Sequence, residues 1–149
     1  MHLMLSIALC VLTVLLTTAF HYEAMRYLSR FTVPGEHIAR HKAPAILLAL
    51  VAAHIVEISF YALIYALAAG PLDLGSFTGV AKMAAIDYFY YAAETYSSLG
   101  YGDIYPLGEL RLIASIGPLN GLLLLAWSGS FMFAVMQHST TRLDGEQSD

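Results

Sequence analysis

The sequence predicts an all-α membrane protein with three transmembrane helices and one shorter helix that enters the bilayer without crossing it. Three observations carry this prediction. Of the 149 residues 58% are hydrophobic and only 12% charged, with mean hydropathy +0.66, a composition too apolar for an ordinary water-soluble domain. A helix needs about 20 mostly apolar residues to cross the hydrocarbon core, and residues 3–20, 44–69 and 112–136 meet or approach that length. The apolar stretch 83–96 is too short to span, and it runs into a glycine-punctuated segment, SSLGYGD.

The first segment has no Lys or Arg before it and no small-residue cleavage site after Ala19, and it continues helically through FHYEAMRYLSR. It is therefore expected to be a retained span rather than a secretory signal. Its Cys10 is the single cysteine, so one chain offers neither a disulfide framework nor a cysteine metal site. Arg26, Arg30, Arg40 and Lys42 lie between the first two spans, whereas the stretch between the second and last spans holds Lys82 and Arg111 against Asp73, Asp87, Asp103 and Glu109. The positive-inside rule then puts the first loop in the cytoplasm, with the N-terminus, residues 70–79 and Asp103 outside. The tail, residues 138–149, ends inside and is polar enough to be expected to be disordered. A net charge of −4 without a long basic run excludes a nucleic-acid partner. The chain divides into an N-terminal helix and basic loop (1–42), a unit spanning 43–137 and the tail; there are no internal repeats.

Between the second and third spans, the turn-rich GPLDLGSFTG leads into a helical pattern over 84–97, roughly 21 Å long. The chain must turn back inside the membrane, where non-helical backbone is tolerated only if protein buries it or it lines a wet cavity. Gly100 and Gly102 stand at alternate positions, where positive φ costs glycine little, so successive carbonyls can point one way. Five extended residues reach about 17 Å, long enough for a column of carbonyls to replace the water shell of a cation at several successive sites. Leu99 and Tyr101 would then turn their side chains away, into the surrounding helices.

SSLGYGD resembles the selectivity filter of potassium channels, commonly Thr-Val-Gly-Tyr-Gly-Asp. The resemblance implies an outer helix (44–69), a re-entrant pore helix (84–97), an extended selectivity filter (98–102) and an inner helix (110–137), assembled as a homotetramer. It implies a channel in which Ser98, Leu99, Gly100, Tyr101 and Gly102 form the filter, binding K+ through carbonyls and the Ser98 hydroxyl. Ser98 replaces the usual Thr and Leu99 the usual Val, which leaves a weakly selective cation channel as an alternative. Glu94 lies nine residues before Asp103, as in the subset of these channels where two such carboxyls pair behind the filter; one of them must then hold a proton, and Glu94 is the expected holder. Tyr90 and Tyr91 match the aromatic pair that flanks the filter in that subset, where a ring donor reaches the same acid. Gly121, 19 residues after Gly102, and Gly129 are candidate gating hinges, against the alternative that small residues allow close helix packing. Asn120, Ser128 and Ser130 are polar candidates for the cavity wall. No span carries the repeated arginines of a voltage sensor, and so compact a chain points to a bacterial inner membrane.

A second constellation lies in the spans. His21 and Glu23 sit late in the first, and His54 and Glu57 sit one helical turn apart in the second. An antiparallel hairpin turning near residue 37 would place His21 opposite His54. Three readings stand: interhelical hydrogen bonding or a Glu to Arg26 pairing, a proton-sensing switch, and a divalent metal site suited to zinc or iron. The last two would make the protein a non-conducting pH or metal sensor as an alternative to a channel. His37 and His41 read as solvated loop residues. No nucleophile with a matched base, phosphate loop or cofactor motif is present, so neither an enzyme nor a small-molecule substrate is expected. The partners implied are lipid and other copies of the chain.

Overall fold

The computed structural model describes residues 1–31 and 42–140, with side chains through residue 137. Helix α1 runs His2–Ser29, α2 Lys42–Ala69, α3 Ala85–Tyr96 and α4 Leu110–Thr140; strands β1, Phe77–Thr78, and β2, Tyr105–Pro106, form a short antiparallel ladder. The hairpin turn near residue 37, Arg40, His37 and His41 lie outside the described residues, as does the tail beyond residue 140. The ladder was not expected from the sequence, because two residues are too few to show an alternating pattern.

Three helices, α1, α2 and the Leu110–Gln137 part of α4, are 28 residues long and apolar enough to cross a membrane. At 1.5 Å per residue each is about 42 Å long, more than the hydrocarbon core. Helix α3 has 12 residues, about 18 Å, and cannot span. The chain is a multi-pass membrane protein, and its apolar residues face outward: Leu12, Leu15, Leu48, Val51, Leu63, Leu123 and Phe133 are all exposed.

The inward face of α1 is small and polar over most of its length. On α1 the buried stripe is Ser6, Cys10, Thr13, Thr17, His21, Met25 and Leu28, at the three- and four-residue spacing of one helix face. Lipid is as apolar as leucine, so helices associate there through close packing and hydrogen bonds rather than hydrophobic burial. Thr13 and Thr17 donate to the carbonyls of Leu9 and Thr13 at 2.7 and 2.8 Å. Thr17 also accepts from Asn120 at 2.8 Å, and the same amide of α4 donates to the Tyr61 hydroxyl of α2 at 3.0 Å. Asn120 thus ties α1, α2 and α4 together, and it is buried by its own chain rather than facing a cavity.

Helix α3 is held in an aromatic shell. Tyr91 packs edge-on against Tyr65 and Phe77, with centroids 5.1 and 4.9 Å apart, and Tyr96 lies against Tyr61 at 6.1 Å. At its N-terminus the Ala84 amide donates to Asp87 at 2.8 Å, placing a carboxylate where the helix dipole favours negative charge. At the other end α4 crosses so closely that a Cβ on Gly121 would collide with the Tyr96 carbonyl, whereas one on Gly129 would meet nothing within 4 Å. Gly121 is therefore a packing residue that lets α4 touch the end of α3.

Gly121→Ala is expected to destabilise the folded protein by about 1–3 kcal/mol through overpacking, read as a lowered Tm in detergent. Gly129→Ala is expected to leave Tm unchanged or raise it, because a helical Gly costs about 1 kcal/mol relative to Ala. Equal Tm values for the two variants would remove the packing assignment.

Candidate functional site

The segment after α3 is organised by its backbone amides. Ser98 donates to the Thr95 carbonyl at 3.0 Å, and Leu99 and Gly100 both donate to the Glu94 carbonyl at 2.8 and 3.2 Å. Tyr101 donates to the Glu94 side chain, at Oε2, at 3.0 Å. Four consecutive N–H groups thus point into the protein, onto the last turn of α3 and one buried carboxyl. Among the described residues no donor reaches the carbonyls of Ser98, Leu99, Gly100 or Tyr101.

The dihedrals explain this one-sidedness. φ is positive at Ser98 (59°), Gly100 (57°) and Gly102 (76°), and Leu99 and Tyr101 are not in that region. Alternation between the two hands turns successive N–H groups to one side, as in an anion-binding nest, and their carbonyls to the other. Glycine occupies the positive region without strain. Ser98 does so at a cost of about 1–3 kcal/mol, and the hydrogen bond from its N–H to the Thr95 carbonyl helps to hold it there. Gly100 needs no room, since an added Cβ would meet nothing within 4 Å; its requirement is conformational.

Glu94 is buried, and its carboxyl is held above the ordinary glutamate range by burial, opposed by the Tyr101 amide and reinforced by the charge of Asp103. The two carboxyls make no hydrogen bond to each other among the described residues; they act through space. Tyr90 donates to Asp103 Oδ2 at 3.0 Å. Desolvation, with that hydrogen bond to Asp103, pushes the Tyr90 phenol up to about 12, so it stays a donor at neutral pH. Its ring stacks on Tyr101, with centroids 6.2 Å apart and planes within 3°. Tyr91 does not reach Asp103; it is turned into the Tyr65 and Phe77 shell, because adjacent helix residues point about 100° apart. Leu99 and Tyr101 are 58% and 66% exposed rather than packed among the helices of their own chain.

Residues 46–138, more than half of the chain, match the model of the ion channel family, whose members have two transmembrane helices and include potassium channels. The chain belongs to the ion channel family. No curated protein and no solved structure matches it. The matched region of the channel begins within α2 and ends within α4, leaving α1 as an addition to the channel unit.

The channel's second constellation gathers where α1 meets α2 and α4. His21 Nδ1 lies 2.8 Å from Glu57 Oε1 and His54 Nδ1 lies 2.9 Å from Glu57 Oε2, with the two rings 5.3 Å apart. His21 and Glu57 are fully buried and His54 nearly so. Glu23 does not join them. It is exposed and paired with Arg26 at 2.8 Å, because two residues along a helix turn its side chain about 200° away from His21. Two residues not foreseen in the sequence complete the cluster. Tyr96 donates to Glu57 Oε2 at 2.5 Å, and Ser128 Oγ stands 3.0 Å from His54 Nε2 and 3.4 Å from His21 Nε2. Ser128 is therefore a buried partner of the histidines and not a cavity residue, while Ser130 bonds the Ala126 carbonyl of its own helix. Tyr96 carried one usable signal: it stands two residues before Ser98, at the end of a helix that must be anchored.

A carboxyl with a raised pKa favours the folded arrangement below the ordinary glutamate value, and that contribution is lost as pH rises through the raised one. Channel flux is accordingly expected to change as pH rises above the ordinary glutamate range and Glu94 acquires a charge beside Asp103. Glu94→Gln keeps an acceptor for the Tyr101 amide and is expected to give the same flux across that window. A pH profile identical to wild type in Glu94→Gln would take the titration away from Glu94.

Proposed function

We propose that this ion channel conducts potassium passively through a tetrameric pore whose filter is residues 98–102. The observation that carries the reading is the sorting of the backbone: four successive amides are satisfied inward while the carbonyls of Ser98, Leu99, Gly100 and Tyr101 have no donor among the described residues. Unpaired carbonyls at membrane depth are tolerable only where something polar faces them, and a file of dehydrated cations is such a partner. One chain supplies one strand of carbonyls. Closed rotational symmetry, the usual assembly of identical chains, would surround the axis and cover Leu99 and Tyr101 with the neighbouring copy.

In this arrangement α3 is a re-entrant pore helix, α2 the outer helix and α4 the inner helix. Glu94, Asp103 and Tyr90 support the filter, and the acidic residues Asp73, Asp103 and Glu109 lie on its extracellular side and concentrate cations there. The basic loop after α1 faces the cytoplasm and the N-terminus the outside of a cell's inner membrane, by the positive-inside rule. Gly129, which is free of close neighbours, is the better candidate for a bend in α4 than Gly121. A weakly selective cation channel is the second reading, favoured by Ser98, whose side chain lacks the methyl that restricts a threonine rotamer.

Purified protein in liposomes is expected to carry potassium down its gradient and to exclude sodium. Gly100→Ala, which disfavours positive φ without creating a clash, is expected to reduce flux to the protein-free background while leaving assembly intact. Equal potassium and sodium flux would favour the weakly selective pore; undiminished potassium flux in Gly100→Ala would sink the filter assignment.

A further inference from the structure

We propose that His21, His54 and Glu57 form a binding site for a divalent transition-metal ion of the zinc type, built between α1 and α2 and braced against the filter. The three side chains present ligand atoms within 4.8 Å of one another, and imidazole nitrogen with carboxylate oxygen is a donor set such ions favour. What distinguishes the cluster from scattered buried polar residues is its matched orientation. Both rings turn Nδ1 toward the Glu57 carboxylate, at 2.8 and 2.9 Å, and both turn Nε2 toward the single hydroxyl of Ser128, at 3.4 and 3.0 Å.

Proton accounting gives that symmetry its meaning. If both rings are neutral and donate from Nδ1 to Glu57, both Nε2 atoms are acceptors, and Ser128 has only one hydrogen for the two of them. In that pair of tautomers one nitrogen is left without a donor, at a cost of about 1–3 kcal/mol, unless His54 takes the other tautomer toward the Tyr96 hydroxyl, 2.9 Å from its Nδ1. A cation held by both Nδ1 atoms and Glu57 reverses the pattern. Each Nε2 then carries hydrogen and donates to one lone pair of Ser128, so both ring nitrogens that face the hydroxyl are satisfied. This is the outer shell that metal-bound histidines characteristically have, with the second nitrogen donating to a fixed oxygen. Tyr96 completes it by donating to Glu57 Oε2 at 2.5 Å, which orients the carboxylate and leaves Oε1 toward His21. His54, the least enclosed of the three, also lines a groove of about 480 Å³ between α2 and α4, with Leu50, Val51, Ser128 and Met132.

The position gives the site a consequence. Tyr96 ends α3, and its carbonyl packs on Gly121. An ion that fixes Glu57 therefore fixes the tyrosine from which the 98–102 segment departs, and it links the added helix α1 to the channel unit. That consequence rests on the filter reading; the binding itself does not.

The test uses the full-length channel in detergent, stripped with a chelator and then titrated with zinc, or with cobalt as a spectroscopic probe. Wild type is expected to retain zinc at one ion per chain, to show visible cobalt absorption bands, and to gain about 4 °C or more in Tm on zinc loading. His54→Gln and Glu57→Gln are expected to lose tenfold or more in zinc affinity, and Glu23→Gln to bind as wild type. The comparison of stripped with loaded wild type needs no substitution and stands even if a core variant fails to fold. Zinc retention no greater than in Glu57→Gln, with no Tm gain and no cobalt bands, would overturn the site and leave a hydrogen-bonded network closed by an extra proton. Flux assays are run separately, so a channel that conducts without metal refutes the site alone, and a metal-binding protein that does not conduct refutes the filter alone.

Discussion

Backbone amides have nowhere to go inside a bilayer, and the architecture follows from where this chain sends four of them. The last turn of α3 offers carbonyls that no longer have helical partners, and Ser98, Leu99 and Gly100 return to them. Tyr101 reaches one residue too far and takes the Glu94 carboxyl instead. That solution works only if α3 stops at Tyr96, if a carboxyl is buried near its end, and if the following residues alternate in backbone hand. All the outward-facing carbonyls are what remains when the donors have been spent inward.

The supports around α3 are consequences of the same constraint. A half-length helix cannot be positioned by spanning, so it is held laterally by Tyr65, Phe77 and Tyr61 and from behind by Gly121. Its far end is tied by Tyr96 to Glu57. Glu57 in turn needs partners, since a lone carboxylate deep in a membrane protein is costly, and the two histidines join Tyr96 in satisfying it. In the described residues the added helix α1 meets the channel unit through Met25 and Leu28 packed with Ile46, Leu50 and Val135, and through two polar contacts, this one and the Thr17, Asn120 and Tyr61 chain. The polar contacts sit on the small-residue face of α1, where lipid provides no competing hydrogen bonds.

Much of this was legible from the residues alone. Three spans and one short helix are composition and length, and composition and length decide what a bilayer accepts. The His21 and His54 meeting followed from hairpin arithmetic, and Glu57 from its place one turn beyond His54. The same helical geometry, applied to Glu23, excludes it, because its neighbour two positions away must face elsewhere. Of the aromatic pair Tyr90 and Tyr91, one ring donor was expected to reach Asp103, and it is Tyr90, because adjacent residues on a helix diverge.

By itself the sequence determined that the protein lives in a membrane, where its helices lie and that Gly100 and Gly102 allow positive φ in alternation, since hydropathy, helix length and glycine's conformational range are local properties. Which polar face of α4 looks inward was decided only by the tertiary structure. Asn120 and Ser128 could equally have lined water, and their burial against Thr17, Tyr61 and the histidines depends on the rotation of one helix against two others. Packing also decided the joining of Tyr96 to Glu57 across 39 residues, because a hydrogen bond between distant segments leaves no periodicity in either.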